Sequence, residues 1–106
     1  MGLLDFLKQP DFNQNIKSYQ QELDALLLDV RTPQEYNGGR VPGSINLPLQ
    51  AISTAASVAP NKAQSLYVYC QSGARSRKAT AALKQMGYTN VKNIGGITSY
   101  RGPIEK

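Results

Sequence analysis

The sequence predicts an α/β fold in which a mainly parallel central sheet of about five strands is flanked by helices. Two observations carry this. Short apolar runs alternate with segments of helical spacing along the chain, and strands separated by helices need crossover connections that leave neighbouring strands parallel. The run Leu26 to Val30 is short and apolar, ending in Asp29-Val30-Arg31, which fits a strand buried on both faces. A chain of 106 residues has room for one hydrophobic core, so residues 1–106 read as one domain.

The elements follow in order. Ser18 and Gln21 suit a capped helix start, with Leu23 and Leu26 or Leu27 as its apolar face. Leu26 to Val30 is then a short strand. Thr32-Pro33-Gln34-Glu35 reads as a capping box with proline at the first helical position, and Gly38-Gly39 ends that short helix. Ser44 to Leu47 is a brief strand stopped by Pro48, and Leu49 to Val58 reads as a helix. Leu66 to Tyr69, rich in aromatic and β-branched residues, is the clearest strand. Ala79, Ala82, Leu83 and Met86 recur at helical spacing, with Gly87 as the stop. Val91 to Ile94 is a further strand, and Gly95-Gly96 leads to a last short helix before Gly102-Pro103.

Composition excludes several classes of function. The hydrophobic share, 41%, suits a globular chain, and the apolar stretches fall short of a membrane span. The start, Met1 to Lys8, lacks the basic leader of a secretory signal, and Phe6 replaces the Ser or Thr of a myristoylation site. The expectation is a cytoplasmic protein with no membrane partner. One cysteine cannot close an internal disulfide, and the absence of histidine removes Cys-His and Ser-His pairs and the commonest transition-metal ligand. A structural or catalytic zinc site is not expected.

The net charge of +5 is uneven. Residues 1–35 hold Asp5, Asp11, Glu22, Asp24, Asp29 and Glu35, whereas no acidic residue occurs between Tyr36 and Ile104. The cysteine-bearing part is therefore cationic, which favours small anions. Its bases are scattered, without a Lys/Arg run or a nucleic-acid motif, so no nucleic-acid partner is expected.

The chemistry concentrates at Cys70. It closes an apolar run and opens the loop Gln71-Ser72-Gly73-Ala74-Arg75-Ser76, which leads into a helix. By type alone, a lone cysteine after a strand is a small buried hydrophobe. In this setting, however, successive peptide N–H groups at a helix N-terminus form a nest for an anion, and Gly73 frees the backbone to wrap. Arg75 adds a cation, and Ser76 offers a helix-capping hydroxyl. Such surroundings turn a thiol into a thiolate nucleophile without a general base. Ligands in parallel sheets bind beyond the carboxyl ends of strands, where Cys70 lies.

At this point the chain resembles the rhodanese family of sulfurtransferases in its single-domain form. The matching pieces are Leu28-Asp29-Val30-Arg31 with Glu35-Tyr36, Val41 through Pro48, Cys70 through Ser76, Gly87-Tyr88, Gly95-Gly96 and Gly102-Pro103. They cover roughly residues 16 to 103, leaving residues 1–15 as an extension without an assigned role. The resemblance implies a three-layer fold and a sulfane-sulfur transfer. Cys70 would take the outer sulfur of a small anionic donor such as thiosulfate, become a persulfide, and pass that sulfur to cyanide or a thiol. The N–H groups of residues 71–75 would hold the persulfide, Arg75 would help bind the donor, and no metal or organic cofactor would be needed. It also implies that Asp29 and Arg31 are structural residues near the site, and strand packing is the reading of Tyr67 and Tyr69.

Two alternatives stand beside this. The basic surface allows a sulfur-relay or regulatory module acting on a protein partner. Some phosphatases and arsenate reductases share the fold but place five residues between cysteine and arginine; here there are four, Gln71 to Ala74, which suits a single sulfur atom. Arg40 replaces a frequent histidine and Tyr100 a frequent tryptophan, both expected to affect packing or the pocket rim. Gln71 and Ser72 stand at positions sometimes basic in thiosulfate-using members, so donor recognition there relies on neutral hydrogen bonds. The oligomeric state is not legible.

Overall fold

The computed structural model describes residues 10–106; the start of the chain, with the leader and myristoylation readings, lies outside the described residues. Helix α1 (Phe12–Gln21) comes first, followed by β1 (Leu26–Asp29), α2 (Pro33–Gly38) and β2 (Ile45–Asn46). A 3-10 helix (Leu49–Ser57), β3 (Leu66–Cys70), α3 (Ala74–Gln85), β4 (Val91–Gly96) and a 3-10 turn (Ile97–Ser99) complete the order. The four strands form one parallel sheet in the order β2-β1-β3-β4. A lone antiparallel bridge, Arg40 to Glu105, ties down the C-terminus.

Strand β3 shows why this is a three-layer structure. All five of its residues are buried, and successive side chains point to opposite faces. Leu66, Val68 and Cys70 join Leu28, Val30, Ala79 and Leu83 in one cluster, beneath α3 and the 3-10 helix. Tyr67 and Tyr69 join Leu27, Phe12 and Ile16 in the other, beneath α1. The tyrosines pack as expected, with their hydroxyls satisfied. Tyr67 donates to Glu22 Oε1 at 2.6 Å, while Tyr69 accepts from Val41 N at 3.2 Å and donates to Ser44 Oγ at 3.3 Å.

The first helix differs from expectation. It starts at Asp11, whose side chain accepts from Gln14 N at 3.1 Å, and Phe12, Ile16 and Tyr19 line its inner face at helical spacing. Ser18 lies within it, its hydroxyl donating to Gln14 O. Leu23 is 91% exposed beyond its end, and Leu26 and Leu27 belong to β1. Six residues of the extension, 10–15, are thus part of the fold, and Phe12 is core.

The segment predicted as a helix from Leu49 to Val58 is a 3-10 helix. Thr54 and Ser57 hydroxyls donate to carbonyls three residues back, Ala51 O and Thr54 O, each at 2.7 Å, which favours the tighter turn. The capping box forms as read: Glu35 N donates to Thr32 Oγ1 and Thr32 N to Glu35 Oε1. Among the described residues, no helix is long and apolar enough to cross a membrane.

Candidate active site

Strand β3 delivers Cys70 to the carboxyl edge of the sheet, where it is 1% exposed beneath its own loop. Gly73 adopts a left-handed conformation, φ +107°, which a side chain would disfavour. The turn lets Gly73 N donate to Cys70 Sγ at 3.0 Å, and the thiol lies 3.5 Å from Ser76 Oγ. Burial pushes the thiol pKa up, but the Ser76 hydroxyl and the N–H groups of Ser76, Gly73 and Ser72 outweigh it. The net result is a thiol below its ordinary value, prepared for ionisation by hydrogen bonds to its charged form. Of the loop N–H groups expected to form a nest, Gly73 N is the one in hydrogen-bond geometry with the sulfur.

Ser76 plays a different part from the cap predicted for it. Gly73 occupies the N-cap position of α3, without a side-chain cap. Ser76 sits inside the first turn, fully buried, and donates to Asn93 Oδ1 at 2.7 Å. Asn93 Oδ1 also accepts from Gly95 N at 3.0 Å. Sequence reasoning missed Asn93, because a polar residue within a strand carries no motif linking it to a loop 17 residues away.

The other loop residues divide between rim and anchor. Ser72 and Ala74 are exposed on the rim. Gln71 is held from below by the buried pair Asp29 and Arg31. Arg31 donates Nε and Nη2 to the Asp29 carboxylate, the shortest bond being 2.7 Å, and Nη1 to Gln71 Oε1 at 3.1 Å. A second Nη2 bond reaches Gly39 O at 2.7 Å. Asp29 and Arg31 thus join β1, the end of α2 and the cysteine loop. The loop also presses on β4: a Cβ at Gly96 would collide with Gln71 O and stand 2.6 Å from Ser72 Cα.

Arg75 corrects the picture of a wholly cationic site. Its guanidinium binds Glu35 through two bonds, Nη1 to Oε1 at 2.7 Å and Nη2 to Oε2 at 3.0 Å. The acid comes from the half of the chain that sequence charge had set apart, brought across by α2. The Arg75 hydrogen bonds, against some burial, hold the Glu35 carboxyl at about 2. Arg40 and Tyr100 lie outside this cluster. Arg40 stacks on Tyr36 at 4.6 Å and pairs with Glu105 at 3.2 Å, and Tyr100 packs on Phe12 at 5.7 Å. Among the described residues, no three Cys, Asp or Glu side chains gather as a metal site.

Residues 9–102 match the family described as Rhodanese-like domain. The chain belongs to the rhodanese family. It is 39% identical over 80 residues to the thiosulfate sulfurtransferase PspE of Escherichia coli K12, covering 74% of this chain and 77% of that one. It is 44% identical over 78 residues to a sulfurtransferase of Allochromatium vinosum, covering 73% and 72%. Among solved structures, a rhodanese with anions from E. coli superposes with a TM-score of 0.73 at 37% identity, covering 77% of this chain and 98% of that one. A rhodanese chain this similar to named sulfurtransferases is a sulfurtransferase in the general sense.

Proposed function

We propose that Cys70 carries sulfane sulfur as a persulfide, taken from an anionic donor such as thiosulfate and passed to a thiol or cyanide. The observation that carries this is the Cys70 thiol with Gly73 N–H at 3.0 Å and Ser76 at 3.5 Å, in a loop of four residues before Arg75. The thiolate attacks the outer sulfur of thiosulfate, the S–S bond breaks, and sulfite leaves with its electron pair. The outer sulfur of the new persulfide bears the negative charge and lies among the loop N–H groups. The acceptor then attacks that sulfur, and the Cys70 thiolate departs and is restored. Thiosulfate followed by intact-mass measurement should add one sulfur to the protein and none to Cys70→Ser; absence of added sulfur from any sulfane donor overturns the reading.

A second reading concerns the acceptor. The outer face of α3 exposes Arg77, Lys78 and Lys84, and none of them is in an ion pair among the described residues. This unpaired face beside the loop favours an acidic protein as sulfur partner. A salt-sensitive complex with an acidic sulfur-handling protein supports it, and turnover on small thiols with no such complex counts against it. Phosphatase chemistry fares worse, because the one carboxyl brought to Arg75, Glu35, is held ionised near 2 and cannot donate a proton at neutral pH.

A further inference from the structure

We infer that Asn93 is a positioning residue that governs Cys70 reactivity by competing for the single proton of the Ser76 hydroxyl. The inference rests on Cys70 being the reacting thiol of the proposed sulfur transfer. Ser76 Oγ has Asn93 Oδ1 at 2.7 Å, Gly73 O at 3.0 Å and Gly95 O at 3.4 Å as acceptors, and Cys70 Sγ at 3.5 Å. While Cys70 is a thiol, its S–H donates to Ser76 Oγ and the Ser76 proton points to Asn93. Once the thiol proton has gone to solvent, Sγ can only accept. The Ser76 hydroxyl must then rotate toward Sγ and give up its shortest bond.

Asn93 cannot adapt by turning its amide. Its Oδ1 accepts from Gly95 N at 3.0 Å, and a flipped amide would set two donors against each other. The strand fixes this arrangement. The β3–β4 register shifts between Val68, opposite Asn93, and Tyr69, opposite Gly95, so Ile94 is the extra residue of a bulge. The bulge re-aims the strand, and the Asn93 side chain reaches the N–H two residues ahead while facing Ser76.

The same proton moves at both stages of sulfur transfer. It turns to Sγ when the free thiolate forms, returns to Asn93 when Sγ is bonded to the carried sulfur, and turns back as the S–S electron pair falls to Sγ on delivery. No net proton is gained or lost by Ser76. The charged groups around the site are Arg75 on α3, Glu35 on α2, and Asp29 with Arg31 at the end of β1. On β4 the one titratable side chain is Lys92, which lies 5.4 Å over the Tyr67 ring, and the 3-10 helix Leu49–Ser57 has none. Arg77, Lys78 and Lys84 of α3 are exposed on its outer face, so Asn93 is a neutral control on a thiolate whose nearest ionic groups are already paired.

The test is the rate of Cys70 alkylation by iodoacetamide across pH, which needs no sulfur donor. Asn93→Ala should lower the midpoint by about half a pH unit, Ser76→Ala should raise it, and Asn93→Ala should then have no effect in the Ser76→Ala background. A midpoint unmoved by Asn93→Ala, or moved equally without Ser76, overturns the inference. Should Asn93→Ala fail to fold, near-isosteric Asn93→Asp should raise the midpoint, and raise it less when Ser76 is absent; an equal rise in both backgrounds overturns it. A protein that alkylates as stated yet accepts no sulfur refutes the transfer and leaves Asn93 in its role. One that loads sulfur with a midpoint indifferent to Asn93 does the reverse.

Discussion

Glu35 grips Arg75 end-on, carboxylate to guanidinium at 2.7 and 3.0 Å, while its Oε1 also accepts from Thr32 N at 3.0 Å. One carboxylate thus starts helix α2 and anchors the cysteine loop. The geometry commits the end of the guanidinium to Glu35 and leaves its side edge for a bound anion. Glu35→Gln should free Arg75 and lower the KM for thiosulfate by about threefold to tenfold, with little change for a neutral sulfur donor. Steady-state kinetics with both donors checks it, and an unchanged thiosulfate KM counts against competition by Glu35.

The same pair makes stability depend on acid. The Glu35 carboxyl falls from 4.5 to about 2 on folding, so its contribution is fully present above pH 4.5 and fades as pH falls toward 2. With both side chains one-third exposed, solvent screening holds the effect to about 1 kcal/mol. Urea denaturation at pH 7 and at pH 3 should show this loss in the wild type, and a smaller one in Glu35→Gln.

Asp29 and Arg31 form a pair whose side chains are 0% and 5% exposed. Asp29→Ala leaves a buried guanidinium without its carboxylate, and should cost about 3–5 kcal/mol. It also loosens the hold on Gln71. Chemical denaturation gives the first number, and slower persulfide formation by the folded fraction gives the second. A loss below about 1 kcal/mol would mean that Gly39 O and Gln71 satisfy Arg31 unaided.

Gly96→Ala would thrust a Cβ into the Gln71 carbonyl and the Ser72 backbone. The loop must move, because backbone atoms cannot rotate away as a side chain would. Persulfide loading should fall by about tenfold or more, in line with a loss of alignment, beyond a stability cost of about 1–3 kcal/mol for the displaced backbone. Loading rates and thermal melts on the same preparation separate the two effects.

Phe12→Ala should cost about 3–5 kcal/mol, since Phe12 is 2% exposed and meets the Tyr69 ring edge-on at 5.6 Å. Denaturation midpoints decide it. A near-neutral result would make the outer part of α1 an ornament rather than core.

These residues also mark how far the sequence could be read. The run Leu66 to Tyr69, the capping box at Thr32 and the order of motifs around Cys70 are local signals, so the sheet and the place of Cys70 at a strand-to-helix junction were legible from them. Helix α1 was misplaced because Ser18 and Gln21 imitate a helix start, while the operative cap, Asp11, lies in a stretch without a motif. Glu35 was visible as a cap but not as the partner of Arg75, a contact 40 residues distant in sequence. Asn93 gave no signal, because its role depends on a bulge that arises only when β3 and β4 are paired. Local pattern writes the elements; the cross-links between them arise from tertiary geometry.

The contact between the cysteine loop and Gly96 places a limit on how this protein could diverge. A longer loop, able to cup a tetrahedral oxyanion, would need space that the neighbouring strand occupies. Grafting one extra residue between Cys70 and Arg75 is therefore not a local edit, since it asks the sheet edge to retreat as well. The start of the loop and the end of β4 are thus coupled through Gly96, and a change in one is felt by the other.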